Sequence, residues 1–240
     1  MDAMGLKGSA FLAIWHDIAD GQHGEYIEWH TREHMPERLS VPGFRTGKRL
    51  HAPQAARYVF GTIYAGDDLE VFRSPSYLAR LNNPTPWTAA VAPSFQNFLR
   101  VACERVASAG TGDGGSIATI RFDFAHPQAE AALRQAAQSL VDLILTLPGV
   151  CCVHLGIARN EVSGVRTRET ELRSAMAEKG FDTVILVEGS QRAGLEAARA
   201  EIERLAIATG TLTAPTTDFY ETAFSLTSED MQAQGQQVSA

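Results

Sequence analysis

Two tandem β-α-β-β-α-β units, closing one α+β barrel from a single chain of 240 residues, are what this sequence predicts. Three observations carry the prediction. The order of strand-like and helix-like segments occurs twice. A Pro-Gly-apolar turn recurs at a fixed distance from the first strand of each half: Phe11 lies 31 positions before Pro42, and Ile117 lies 31 positions before Pro148. A glycine-rich stretch, Ser108 to Gly115, separates the halves as a linker.

In the first unit (8–107), residues 10–18 alternate as a strand does. A helix over about 24–39 opens at Gly24-Glu25, its early acidic residue favoured by the helix dipole, and stops at Val41-Pro42-Gly43. Strands are expected at 44–52 and 57–65 around the Pro53 turn. A second helix runs from Leu69 to Leu81 until Asn82-Asn83-Pro84-Thr85-Pro86 breaks it, and a strand near 98–107 completes the unit. The second unit (116–227) reads as strand 116–124, helix 127–146, strands 150–158 and 181–188, helix 191–208 and strand 217–226. Its extra stretch, 160–179, reads as a helical insertion, and the polar tail 228–240 as disordered.

The β-α-β-β-α-β order is the ferredoxin-like plan, whose sheet has helices on one face only. The bare face must be covered, and two units do this by packing sheet against sheet. Further dimerisation stays open.

A net charge of −7 with scattered basic residues excludes the basic face that nucleic acid requires. No segment reaches the roughly 18–20 apolar residues of a membrane helix, and Phe11–Trp15 runs into His16-Asp17 rather than forming a secretory leader. Cys103, Cys151 and Cys152 make no disulfide framework and read as packed apolar residues, so a cytoplasmic location is expected.

At an offset of 106 positions, the first helix of unit one faces a twin in unit two. Trp29, His30, Glu33, His34 and Arg38 stand opposite Gln135, Ala136, Ser139, Leu140 and Ile144. Burying such polar groups costs about 1–3 kcal/mol each unless they are paired, so stability does not ask for them. The asymmetry places the functional site in the first unit and leaves the second mainly structural. His30-Thr31-Arg32-Glu33-His34 also matches H-x-x-E-H, but a catalytic zinc needs a third protein ligand. Glu70 and Glu104 do not supply one convincingly, so no metal is expected. Pro36 should kink or end the helix and push His34 and Arg38 toward the barrel mouth.

Strand 1 places Leu12, Ile14, His16 and Ile18 on one face and Phe11, Ala13, Trp15 and Asp17 on the other. If the second face lines the cavity, Trp15 walls it and Asp17 orients His34. Arg45 and Arg49 share a strand face, where such a pair is more often surface charge than a site that holds a carboxylate. Tyr58 and Tyr64 fall on opposite faces, so one phenol at most points inward. Trp87 follows the proline-rich turn as a lid or a loop anchor. His23, His51 and His126 read as loop residues, and His154 as structural.

The run Trp29-His30-Thr31-Arg32-Glu33-His34-Met35-Pro36-Glu37-Arg38-Leu39 is followed by Val41-Pro42-Gly43-Phe44-Arg45, Gly47 and Arg49. With Ser74-Pro75-Ser76-Tyr77-Leu78 and Asn83-Pro84-Thr85-Pro86-Trp87-Thr88, it resembles the EthD-like branch of the dimeric α+β barrel superfamily. The resemblance covers about 10–107. It implies a small-molecule site between helix and sheet, without metal or organic cofactor, with His34 directed into the cavity. Members are linked to aromatic catabolism and polyketide tailoring, as isomerases, decarboxylase- or cyclase-like enzymes and quinone-forming oxygenases.

The expected function is therefore isomerase or lyase chemistry on a small anionic, conjugated substrate. His34 is general acid/base, and Glu33 or Asp17 orients it. Arg38, Arg49, His30, Trp15, Tyr64 and Trp87 contact substrate. Two alternatives stand beside it: a haem protein with a histidine on iron, and a non-catalytic carrier or accessory protein.

Overall fold

The computed structural model describes residues 6–163, 166–173 and 180–238. Eight antiparallel strands close into one barrel in the order β1-β3-β2-β8-β5-β7-β6-β4. They are β1 (Ala10–Ile18), β2 (Phe44–His51), β3 (Phe60–Gly66), β4 (Phe95–Gly110), β5 (Ser116–Phe124), β6 (Val150–Ala158), β7 (Thr183–Gly189) and β8 (Leu212–Thr227). The two halves contribute sheets of order 4-1-3-2 and 8-5-7-6, and the bare faces meet as the barrel interior.

Closure depends on two strands longer than the sequence pattern suggests. β4 pairs β1 from Phe95 to Glu104 and then crosses to β6 from Cys103 to Gly110, where a linker was expected. β8 pairs β5 through Glu221 and then β2 through Thr227. Each strand thus belongs to both sheets, and no edge is left for another chain to extend.

The interior is filled by Phe11, Ala13, Trp15, Ile63, Leu99, Val101, Val184, Leu186 and Tyr220. The opposite face of β5, β6 and β7 packs under α5 (Ala129–Leu145) and α8 (Arg192–Ala208). In the first half the helical layer is more broken: α1 (His23–Trp29), a π turn (His30–His34) and α2 (Met35–Leu39) run on without interruption. The expected second helix is a 3₁₀ turn (Leu69–Arg73) followed by α3 (Pro75–Asn82) and α4 (Pro86–Val91). Ser74 and Thr85 cap the latter two by accepting from the backbone N–H three residues on, and Pro75 and Pro86 open them.

Within the insertion lie α6 (Asn160–Ser163) and α7 (Arg168–Leu172), while its residues 164–165 and 174–179 fall outside the described residues. The tail departs from the expected disorder: α9 (Ser228–Val238) is helical, tied to the chain start by Lys7–Glu229 at 2.7 Å.

Candidate active site

Pro36 neither ends nor sharply breaks the first helix. A proline ring collides with the carbonyl four residues back in a regular α-helix and donates no hydrogen bond. Here the preceding turn is widened instead, so that the Met35 N–H reaches the His30 carbonyl, five residues back. The extra residue is visible in the burial pattern. Buried Tyr26 and His30 answer Leu133 and Ala137 of α5, 107 positions on, whereas His34, Met35 and Arg38 answer Leu140, Val141 and Ile144, 106 positions on. The pairing of His30 with Ala136 expected from a fixed offset is thereby corrected.

The widened turn brings residues five apart onto one line. The rings of Trp29 and His34 lie 4.2 Å apart, and those of His30 and His34 5.5 Å apart. His34 is 7% exposed and lines a cavity of about 30 Å³ between this helix, the outer face of the sheet and the insertion. The walls include Ile14, Arg38, Tyr64, Tyr77, Glu169 and Arg173. The Nδ1 atoms of both His30 and His34 are buried without a partner. Burial holds His34 well below its ordinary value of 6.5, and Arg38 and Arg173 push the same way. Its imidazole is therefore neutral at pH 7, with one ring nitrogen carrying hydrogen and the other free to accept.

His30 stands one layer behind. Its Nε2 is 3.5 Å from both Thr62 Oγ1 and Tyr64 Oη, and burial also holds it well below 6.5. Tyr64 is fully enclosed, and burial raises its phenol well above 10, so it remains a hydrogen-bond donor. Further along, His16 Nε2 meets Tyr26 Oη at 3.1 Å, and burial lowers His16 to about 3.

Glu33 does not touch His34. Its Oε1 accepts from Thr85 Oγ1 at 2.5 Å and Thr88 Oγ1 at 3.2 Å, while Thr88 Oγ1 accepts from Trp29 Nε1 at 3.2 Å. Glu33 therefore reaches His34 through the Trp29 indole, whose ring lies tilted by 35° against the imidazole. Because Glu33 turns away from the two histidines, the H-x-x-E-H pattern does not converge. Among the described residues no cluster of three His, Cys, Asp or Glu suits a metal ion.

Several expected positions are corrected. The first face of β1 serves the site, through Ile14, while Trp15 points into the barrel and donates to Thr119 Oγ1 at 3.1 Å. Asp17 accepts from the Val59 N–H at 2.6 Å and Asn97 Nδ2 at 2.8 Å, which leaves it no role in orienting His34. Arg49 donates to the Ile27 carbonyl at 3.2 Å and to Thr31 Oγ1 at 2.7 Å, which ties β2 to the helix. Arg45 pairs with Asp67 at the surface. Trp87 donates to Glu25 Oε1 at 2.6 Å and anchors α4 to α1. Tyr58 lies outside β3 with φ +57° and belongs to the interior.

Sequence reasoning missed the far wall. Glu169, 2% exposed, sits on α7 of the second half, and its two oxygens are shared between Arg38 Nη2 and Arg173 Nη2. Burial alone would raise this carboxyl, but the two guanidiniums prevail and hold it below the usual 4.5. Arg38 also meets Glu37 at 3.0 Å, and Arg100 donates to Tyr77 Oη at 3.4 Å. The second half thus supplies one wall of the cavity. The available signal was the insertion itself, an acidic and arginine-bearing stretch with no counterpart in the first half.

No family model and no curated protein matches the chain. Solved structures do resemble it. An anthrone oxidase-like protein is 12% identical, with 91% of this chain and 92% of that one covered, at a TM-score of 0.64. A candidate monooxygenase from Fusobacterium nucleatum is 10% identical over 92% and 95% of the two chains, at 0.58. A candidate chlorite dismutase is 8% identical over 95% and 99%, at 0.54. At such identities the likeness is one of fold. No helix among the described residues is long and apolar enough to cross a membrane. This chain has the fold of the dimeric α+β barrel proteins, with both ferredoxin-like sheets supplied by one polypeptide.

Proposed function

We propose that the chain is an enzyme of EthD-like type, in which neutral His34 takes a proton from an activated C–H or O–H of a small, conjugated, anionic substrate. The observation that carries this reading is the state of His34: uncharged, free of any hydrogen bond to protein at Nδ1, and facing a cavity lined by cationic and phenolic groups. A base must be unprotonated at the working pH and not already committed to a partner. The nearer its pKa lies to that pH the better it works, so a substrate anion that stabilises the imidazolium is what raises His34 into range. The Arg38 and Arg173 guanidiniums favour the anion that proton loss creates, and the Trp29 ring face favours the imidazolium. Tyr64 keeps its proton and donates toward an enolate or phenolate oxygen. Returning the proton at another carbon gives isomerisation, and loss of carbon dioxide before its return gives decarboxylation.

A second reading is favoured by the neighbours described as oxidase-like and monooxygenase candidates. The same resonance-stabilised anion is what dioxygen attacks when no cofactor takes part, so oxygen uptake belongs in the first assays. Haem, the other alternative, is supported by the neighbour described as a candidate chlorite dismutase, and titration with haemin followed at the Soret band tests it.

The test is hydrogen exchange from D₂O into the activated C–H positions of a panel of conjugated keto acids, beginning with phenylpyruvate. His34→Gln should slow enzyme-dependent exchange about 10²–10⁴-fold, the usual contribution of a positioned acid or base. Equal exchange in His34→Gln, or no exchange across the panel, would sink the proposal.

A further inference from the structure

Resting on the reading of this cavity as the substrate site, we infer that the substrate is anchored through a carboxylate that takes the place of the Glu169 carboxylate between Arg38 and Arg173. Glu169 is then an internal stand-in for the ligand.

The site is built for a carboxylate. Two guanidiniums from different halves of the chain each give one charge-assisted hydrogen bond to a separate oxygen of one carboxylate. Arg38 is 2% exposed on α2, and Arg173 lies over the Phe95 and Phe98 rings, with guanidinium carbons 5.1 and 4.3 Å from the ring centroids. The Arg173 Nε remains buried without a partner, so the cation retains hydrogen-bonding capacity beyond what Glu169 uses. Arg38 also has Glu37 and the Tyr77 ring against it, the latter at 5.6 Å. These contacts keep the cations in place when Glu169 leaves.

The stand-in explains why the cavity is small. With Glu169 in place only about 30 Å³ is open, too little for any conjugated substrate. Removing that one side chain frees a space already shaped and charged for a carboxylate, beside the neutral His34 and the Tyr64 phenol. Arg173 caps the five-residue helix that carries Glu169, so it is the Glu169 side chain that turns aside, with the helix and the sheet left in place. A carboxylate ligand must compete with it, and the apparent affinity of the resting chain is lowered by the fraction of time Glu169 occupies the position.

Thermal unfolding and calorimetry with simple carboxylates test this independently of turnover. Glu169→Ala should unfold at a lower temperature than the parent, and acetate should restore much of the loss. Acetamide and chloride should not, and Glu169→Ala/Arg38→Gln should show no rescue. Failure of acetate to outperform acetamide overturns the inference. Should Glu169→Ala not fold, Glu169→Gln decides. It should bind benzoate about tenfold or more tightly than the parent chain, with benzamide unaffected. Equal benzoate affinity in the two, or none in either, also overturns it. Because these readouts do not involve proton transfer, benzoate binding that persists in His34→Gln keeps the anchor even if the base assignment fails.

Discussion

The indole of Trp29 and the imidazole of His34 lie against each other, centroids 4.2 Å apart and planes tilted by 35°, because the helix between them carries one residue more than an α-helix allows. In a regular helix, residues five apart diverge by well over a quarter turn, and neighbours sit at three and four. The π turn aligns Trp29 with His34, and the chain Trp29–Thr88–Glu33 locks the indole in that alignment.

Thr88→Val should therefore reach His34 without touching it. The change keeps the side-chain shape and removes the hydroxyl that joins Trp29 to Glu33. Loss of such buried bonds costs about 1–3 kcal/mol. The expected outcome is a lower melting temperature and a fall in kcat larger than any rise in KM, because the base is misplaced while the arginines are untouched. Steady-state kinetics on the exchange reaction, compared with Glu33→Gln, check this. A kcat equal to the parent's in both variants would remove Trp29 from the positioning of His34.

The same turn shows where sequence reasoning reached and where it stopped. The Pro42 and Pro148 turns and the strand patterns carry the barrel, because one register of burial per strand is enough to place each face. His34 and Arg38 stood out because Leu140 and Ile144 fill their slots in the twin helix. The extra residue that pairs Trp29 with His34 escaped notice, since it leaves the composition of the helix unchanged. Glu169 was out of reach for another reason: it meets Arg38 across 131 positions, and no local pattern encodes a contact that the tertiary fold alone creates.

Acid should unfold this chain well before its carboxylates titrate. His16, His30, His34 and His154 are all buried with values depressed from 6.5, His16 and His154 to about 3. For a histidine lowered in the folded state, the unfolded chain binds more protons at any pH between the two values. Stability is then full above about 6.5 and declines as the pH falls from there toward the folded values, by up to about 1.4 kcal/mol per pH unit for each histidine. Melting temperature should hold from pH 8 to 7 and drop steeply from 6.5 to 5. His154→Asn should flatten the slope. Exchange activity, tied to the depressed value of His34, should show no acid limb near 6.5 while the chain stays folded.

Lys48 on β2 and Glu188 on β7 form a buried clamp between the two halves. Lys48 Nζ reaches both Glu188 oxygens at 2.8 Å, and the Gly114 N–H donates to the same carboxylate at 2.8 Å. Removing one partner leaves the other charged and enclosed, which costs about 3–5 kcal/mol. Lys48→Met should lower the urea midpoint accordingly, with little change in the dependence on urea. Lys48→Met/Glu188→Met should recover most of the loss, since a well-packed apolar pair often equals a buried ion pair. A double variant no more stable than Lys48→Met would mean that the pair's other hydrogen bonds, not its charges, join the halves.

Gly156 tests the packing of the barrel interior. It carries no side chain in the middle of β6, and a methyl group there would stand 2.3 Å from Phe11 Cζ and 2.6 Å from Cε1. Phe11 is fully buried and comes from β1 of the other half, so the glycine makes room for an aromatic ring that fills the barrel across the β4–β6 seam. Gly156→Ala should cost about 1–3 kcal/mol, the usual penalty for overpacking. Phe11→Leu alone should also destabilise, through the lost ring. The double variant should be more stable than the two losses added together, with a coupling of about 0.5–3 kcal/mol, because each change relieves what the other imposes. Chemical denaturation of the four proteins measures that coupling. Simple additivity would show that Gly156 serves the strand rather than the ring.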